Sequence, residues 1–215
     1  MKELSNIRKD YTQDFIDENQ LTDNPFAEFE RWFTAALQSE QPEPNAMALA
    51  TVSAAGQPSL RIVLLKGLDE RGFVFFTNYN SRKGEELKEN PGAALTFFWP
   101  VLEQQIRIEG RVEKISEAES DAYYQSRDRG SRLGAWASPQ SQKIESRSVL
   151  VEKVEEIAKK FEGETVFPKP EFWGGYRLIP IRIEFWQGRT SRLHDRIVYE
   201  RAENFGVWTK YRVAP

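Results

Sequence analysis

The chain has 215 residues, of which 40% are hydrophobic and 13% aromatic, and a formal net charge of −3; this excludes wholesale disorder and suffices for one domain with a real core. The near-neutral balance gives no global pull toward nucleic acid or an anionic membrane, so cations must be read as local clusters. Cysteine is absent and histidine occurs once, which removes disulfides, thiolate metal sites and a cysteine nucleophile, leaves no basis for a histidine-built metal site, and puts any redox chemistry on a borrowed organic cofactor.

The opening "MKELSNIRKDYTQDF" contains no apolar run, and no later stretch is long enough to span a bilayer. The expectation is a cytoplasmic protein without a secretory leader, a membrane span or a nucleic-acid partner. Residues 1–21 are polar and read as an arm or loose helix, a lid ahead of a single domain over residues 22–215. "DNPFAEFERWFTAALQSE" starts a helix, with Asn24 as cap and Pro25 at the first turn. Phe26, Phe29, Trp32, Phe33 and Leu37 recur at helical spacing as its buried stripe.

From Ala46 the period shortens. "AMALATVS", "PSLRIVLLK" and "GFVFFTN" read as strands separated by the turns "AAGQ" and "GLDER". "SRKGEELKENP" predicts a short helix stopped by Pro91, and "GAALTFFWP" and "QQIRIEGRVEKIS" two more strands. "EAESDAYYQSR" reads as helix and "GSRLGAWASPQSQ" as a Gly/Ser/Pro loop. "KIESRSVLVEKVEEIAKKFEG" reads as a longer helix burying Val149, Leu150, Val154, Ile157, Ala158 and Phe161. Three final strands follow, in "YRLIPIRIEFWQG", "RIVYERA" and "VWTKYRVAP". About eight short strands at near-regular spacing favour an antiparallel barrel or sandwich, mostly β with peripheral helices. No Walker loop or G-x-G-x-x-G is present, which disfavours the common nucleotide folds.

Four polar clusters could carry chemistry. In "RIVLLK" a buried apolar run has Arg61 and Lys66 at its ends; both could simply snorkel to water. In "NYNSRKGEELKEN", Asn80 or Ser81 caps a helix whose first turn holds Arg82 and Lys83. Cations there oppose the helix dipole, and a bound phosphate would resolve the conflict, although a solvated turn would show the same letters. Tyr123, Arg127 and Ser131 fall four residues apart, so a helical course would gather them into a phosphate cradle; a frayed helix end is the plainer alternative. In "EFWQGRTSRLHDR", Arg192, His194 and Arg196 alternate, and on a strand they would face one way; an exposed hairpin neutralised by Asp195 is the competing reading. Together the clusters suit two phosphate-sized anions and a planar aromatic guest.

The segments "RIVLLK", "FFTNYNSRK", "SRLGAWASPQS", "FWGGYR", "IEFWQG", "RLHDR" and the terminal "RVAP", in this order from about Ile7 to Pro215, resemble the pyridoxine/pyridoxamine 5′-phosphate oxidase family. "EFWQG" followed by "RLHDR" is the most specific of these matches. The resemblance implies an antiparallel split β-barrel of the FMN-binding type, working as a homodimer with shared active sites and using no metal. It implies oxidation of pyridoxamine 5′-phosphate or pyridoxine 5′-phosphate to pyridoxal 5′-phosphate, with dioxygen as acceptor and hydrogen peroxide as product.

Carried over by position, the resemblance implies FMN contacts at Arg61, Ile62, Val63, Leu64, Leu65, Lys66, Phe76, Thr77, Arg82, Lys83, Gln105, Gln140, Ser141, Trp186 and Arg196. Alternation with Ile106 and Ile108 decides whether Gln104 or Gln105 faces the barrel. The implied substrate contacts are Lys66, Tyr123, Arg127 and Ser131 around the phosphate and Arg192, Leu193 and His194 against the ring. Arg8, Lys9, Asp10 and Tyr11 would close over the pocket. Arg192 and His194 are the implied catalytic pair. Two alternatives remain: a related FMN split-barrel oxidase of another planar substrate, such as a phenazine, and a protein that binds flavin, heme or pyridoxal phosphate without turnover.

Overall fold

A computed structural model of the chain describes residues 3–202 and 206–215. The described strands are β1 (Ala46–Val52), β2 (Pro58–Leu64), β3 (Gly67–Asp69), β4 (Gly72–Asn78), β5 (Gly92–Trp99), β6 (Gln104–Lys114), β7 (Trp173–Gln187), β8 (Asp195–Glu200) and β9 (Thr209–Arg212). The helices are α1 (Pro25–Gln38), α2 (Arg82–Glu89), α3 (Glu117–Ser126), α4 (Arg129–Ala137) and α5 (Arg147–Lys160). The sheet runs β2-β1-β5-β6-β7-β4-β3, with β8 pairing β7 and β9 pairing β8. The ladders β3–β4, β4–β7, β7–β8 and β8–β9 are antiparallel.

The 15-residue β7 explains part of this order. Its start, Trp173–Leu178, pairs antiparallel with β4, and its end, Arg182–Gln187, pairs with β8. Pro180 stands between the two ladders, where a residue with no N–H to donate does least harm.

By their contacts the residues fall into two compact units. The first comprises residues 1–49, 94–110 and 180–215. Its core is aromatic: Phe29 of α1 meets Phe97 at 5.2 Å between ring centroids, and Trp32 meets Phe185 at the same distance. Asn24 caps α1 by accepting the Phe26 N–H at 2.9 Å, with Pro25 at the first position, as expected. The buried stripe ends on Ala36; Leu37 points to solvent at 58% exposure, because one further residue rotates the side chain off the apolar face.

The second unit comprises residues 50–93 and 111–179, with a core cluster of Tyr124, Leu133, Phe161, Phe167 and Trp173. Three expectations are corrected here. "GSRLGAWA" is not a loop but α4, started by Asp128, whose carboxylate accepts the Ser131 N–H at 2.8 Å. α5 buries no residue fully; of its expected stripe only Phe161, at the cap, is buried. β2 is not a buried strand either. It ends the sheet order, and Leu60 and Ile62 are 68% and 66% exposed.

Candidate active site

A cavity of about 450 Å³ lies in the second unit. Ile62, Val63 and Leu64 of β2 and Lys66 just beyond it form one wall, and Phe76 and Thr77 of β4 another. Lys83 enters from the first turn of α2, and Tyr123, Arg127 and Ser131 from the junction of α3 and α4; Gln140 and Trp173 complete the lining that matters here. Among the described residues, three cations and no carboxylate line this space.

The α2 turn forms because Ser81 caps it, accepting the Gly84 N–H at 3.3 Å. Gly84 is required there: a Cβ would stand 2.1 Å from the Tyr79 carbonyl oxygen. That close turn carries the Lys83 ammonium into the interior, where it is 9% exposed and donates to Thr77 Oγ1 and Gln140 Oε1, both at 3.2 Å. Among the described residues no carboxylate lies within ion-pair distance of it. Burial first, and then the nearby Arg61 guanidinium, push its pKa below the usual lysine value, with Glu86 opposing. A buried ammonium held only by neutral acceptors favours an anionic guest.

Tyr123, Arg127 and Ser131 do not share a helix, as the four-residue spacing suggested. α3 stops at Ser126, Arg127 caps it, and Ser131 lies in the first turn of α4. The break nonetheless brings all three to the same cavity. Arg127 lies over the Trp173 ring at 4.9 Å, and its buried Nη1 has no hydrogen-bond partner among the described residues. The Tyr123 ring stacks on Phe76 at 3.9 Å. Burial raises its phenol pKa, with Arg127 opposing, so the hydroxyl stays protonated as a donor.

Arg61 and Arg82 do not line the cavity. Both go to Glu86, Arg61 Nη2 at 3.2 Å and Arg82 Nε at 2.9 Å, and Arg61 also bonds Thr51 and Ser59. Burial would raise the Glu86 pKa, but hydrogen bonds from Ser59, Thr51, Arg82 and Arg61 outweigh it and hold it at about 2. Leu65 is buried and Ser141 exposed, the latter with φ 70°, and neither lines the cavity.

The remaining expected residues belong to the first unit. The "SRLHDR" stretch is not a strand throughout. Thr190–Arg192 is a 3-10 turn in which Ser191 and Arg192 both have left-handed φ, 55° and 61°, and β8 begins only at Asp195. The proposed alternation of Arg192, His194 and Arg196 therefore does not hold. Arg192 and Leu193 are exposed, and Arg192 makes no hydrogen bond or ion pair among the described residues. Arg196 is held by both Glu184 oxygens, at 2.9 and 3.0 Å. His194 packs on Trp186 at 4.6 Å, and its Nδ1 accepts the Arg189 N–H at 3.1 Å. Burial, then the charge of Arg192, lowers its pKa. The imidazole is thus neutral near pH 7, with its proton on Nε2.

Gln104 shares the inward face of β6 with Ile106 and Ile108 and donates to Gln187 at 3.0 Å, which leaves Gln105 on the opposite face with Arg107. In the arm, Arg8, Lys9 and Asp10 are exposed, whereas Tyr11 sets its ring against Trp186 at 5.6 Å and His194 at 5.8 Å. Sequence reasoning missed Trp173 as the platform under Arg127, although "FWGGYR" was a marked segment. It also missed Glu184, and that Glu86, which lies near enough to relieve the cations of the α2 turn, orients Arg61 and Arg82. Arg82 and Glu86 stand four apart on a helix, the one local signal available.

A region matching "Pyridoxamine 5′-phosphate oxidase" spans residues 33–161, and one matching "Pyridoxine 5′-phosphate oxidase C-terminal dimerisation region" spans residues 173–215. The pyridoxine/pyridoxamine 5′-phosphate oxidase of Trichormus variabilis is 56% identical over 212 residues, covering 99% of this chain and 98% of that protein. The protein of the same name from Burkholderia thailandensis is 56% identical over 216 residues, covering all of both chains. Among solved structures, PhzG from Burkholderia lata 383, in complex with tetrahydrophenazine-1-carboxylic acid, superposes with a TM-score of 0.86 at 32% identity, over 94% of this chain and 98% of that one. A pyridoxamine 5′-phosphate oxidase-related, FMN-binding protein from Nostoc punctiforme shares the fold, with a TM-score of 0.71 at 20% identity over 91% of this chain and all of that one.

The fold and the family match thus define a split-barrel protein of the oxidoreductase class. The chain belongs to the pyridoxamine 5′-phosphate oxidase family.

Proposed function

We propose that the protein is an FMN-dependent oxidase that converts pyridoxamine 5′-phosphate or pyridoxine 5′-phosphate to pyridoxal 5′-phosphate, with dioxygen as acceptor. The observation that carries this reading is the cavity with three cations and no carboxylate, in which the buried Arg127 Nη1 lacks a partner. Its cations stand on separate elements, Lys83 on α2 and Arg127 at the end of α3, as two anionic groups on two guests would require.

The residues fit FMN. Lys83, Thr77 and Gln140 would hold its phosphate, with Arg61 and Arg82 adding positive potential from their places on Glu86. The β2 segment from Ile62 to Leu64 and Lys66 would bound its ring. A homodimer would add Gln105, Trp186 and Arg196 from a second copy of the chain. When bound, FMN would supply the electron acceptor for the substrate carbon bearing the amine or alcohol, with dioxygen as final acceptor giving hydrogen peroxide and, for the amine, water supplying the aldehyde oxygen as ammonia leaves.

The chain's own part is to bind and orient. Lys66, Tyr123, Arg127 and Ser131 would grip the substrate phosphate, so that remote binding energy fixes the position of the ring. Ser131, in the first turn of α4, adds the favourable end of a helix dipole. From the same second copy as Trp186, on which His194 packs, Arg192 and His194 would face the ring. Because His194 Nδ1 is already an acceptor, Nε2–H is a donor, suited to hold a ring oxygen and not to remove a proton. Tyr11 would cover the assembly.

Oxygen uptake by FMN-loaded protein tests the proposal. Pyridoxamine 5′-phosphate should be oxidised with a kcat/KM at least about 100-fold above that of unphosphorylated pyridoxamine, since a phosphate held by charge-assisted bonds is worth a few kcal/mol. The structural likeness to PhzG favours a second reading, oxidation of a reduced phenazine carboxylic acid. Preference for that substrate over pyridoxamine 5′-phosphate in the same assay would establish it instead.

A further inference from the structure

Glu103 lies in the turn between β5 and β6 with a left-handed φ of 55°, and its side chain is 2% exposed. Every partner of its carboxylate comes from the N-terminal arm. One oxygen accepts the Thr12 N–H at 2.7 Å and the Gln13 N–H at 3.1 Å, and the other meets Lys9 Nζ at 3.0 Å. Its carbonyl oxygen faces the end of β7, accepting the Gly188 N–H at 2.8 Å and Gln187 Nε2 at 3.2 Å. One residue thus ties the arm, through its side chain, to the Trp186-Gln187-Gly188 corner, through its backbone.

Gly188 supplies the other half of the arrangement. A Cβ there would stand 2.6 Å from Cγ and 2.8 Å from Cβ of Tyr11. Only glycine leaves room for Tyr11 to lie across the corner with its ring on Trp186 and His194. Lys9 is 61% exposed, so its ion pair is screened; the two backbone hydrogen bonds to a dry carboxylate give the arm its fixed register.

We propose that Glu103 and Gly188 are positioning residues for the reaction: they dock arm residues 9–13 and so hold Tyr11 as a wall of the substrate site. The inference rests on the functional reading above. The arm supplies the donors to this buried carboxylate, so its burial and its hydrogen bonds belong to the docked arrangement. In Glu103→Gln the amide can satisfy the two backbone donors or face away from Lys9, but not both, so the register loosens. Glu103→Asp retains the charge one methylene further away. Gly188→Ala leaves Glu103 intact and displaces the Tyr11 ring directly.

The test uses the full-length FMN-loaded protein. Hydrogen exchange at the Thr12 and Gln13 amides should accelerate in Glu103→Gln and less in Glu103→Asp. KM for pyridoxamine 5′-phosphate should rise about tenfold in Glu103→Gln and in Gly188→Ala, the size of one lost hydrogen bond, with kcat changed less than about twofold and FMN content unchanged. Combining Glu103→Gln with Tyr11→Ala should add nothing to Tyr11→Ala alone, because both act through the same ring. Unchanged exchange at Thr12 and Gln13, or an equal loss from Glu103→Gln with and without Tyr11, overturns the proposal. If the unaltered protein does not oxidise pyridoxamine 5′-phosphate, the functional reading fails and takes the positioning role with it, while exchange still reports whether Glu103 docks the arm.

Discussion

In the unit that holds the cavity, Lys66, Lys83 and Arg127 reach a common space that no carboxylate lines, whereas in the other unit Arg196 is gripped by Glu184 and Arg189 and Arg212 converge on Asp195. Arg212 also bonds Glu18 and the Ile16 carbonyl, and Asp195 accepts the Ile16 N–H at 3.2 Å. The first arrangement keeps its charges for a guest. The second satisfies them internally and uses them to fix backbone, leaving Arg192 as the exposed, unpaired member. Identical side chains therefore predict different roles according to whether a counter-ion is built in.

The sharpest way to break this contrast is Arg127→Ala. It should lower kcat/KM for pyridoxamine 5′-phosphate by roughly 300-fold, as expected when one partner of a buried charged contact is truncated. Turnover of unphosphorylated pyridoxamine should barely change, and steady-state oxygen uptake with both substrates measures the difference.

Glu86 is the exception inside the cavity's own unit, a carboxylate that gathers Arg61 and Arg82. Its folded pKa of about 2 lies below the ordinary 4.5. The folded state therefore favours the ionised form, and this stabilisation is complete above about pH 4.5 and lost as the pH falls toward 2. Glu86→Gln should lower stability by about 3 kcal/mol near neutrality, the scale of breaking a buried ion pair. It should also flatten the acid limb of the urea-midpoint curve; an unchanged limb would mean that the pair is not coupled to folding.

Arg192→Ala should lower turnover about 100-fold through misplacement of the substrate ring, with FMN content unchanged. Loss of flavin with normal residual turnover would place Arg192 at the cofactor instead. The same variant should raise the midpoint of His194, whose pKa the Arg192 charge helps to depress. A single histidine gives one imidazole signal to follow by NMR. Lys83→Met should weaken FMN binding about tenfold, one charge-assisted hydrogen bond being worth more than a neutral one; flavin fluorescence titration reads it.

Much of this was legible in sequence where the signal is local. Asn24-Pro25 and Ser81 announce helix starts, and the segments around Lys83 and Arg127 supply cations that line the cavity. α4 was hidden because glycine and serine suggested a loop, and its cap, Asp128, stands between two arginines with no apolar period to mark a helix start. The alternation through Arg192 failed because two consecutive left-handed residues interrupt the strand period, which no spacing rule reveals. Glu103 escaped notice for a different reason: its partners lie some 90 residues earlier in the chain.

The carboxylate-free lining described around Lys83 and Arg127 also ties abundance to supply. Like charges gathered without relief strain the native state, and any anion that binds there but not to the unfolded chain offsets that strain by mass action, by about 2.7 kcal/mol at a hundredfold excess over Kd. A chain left without such an anion would unfold more often and be degraded faster, so its steady-state level would follow the concentration of that guest.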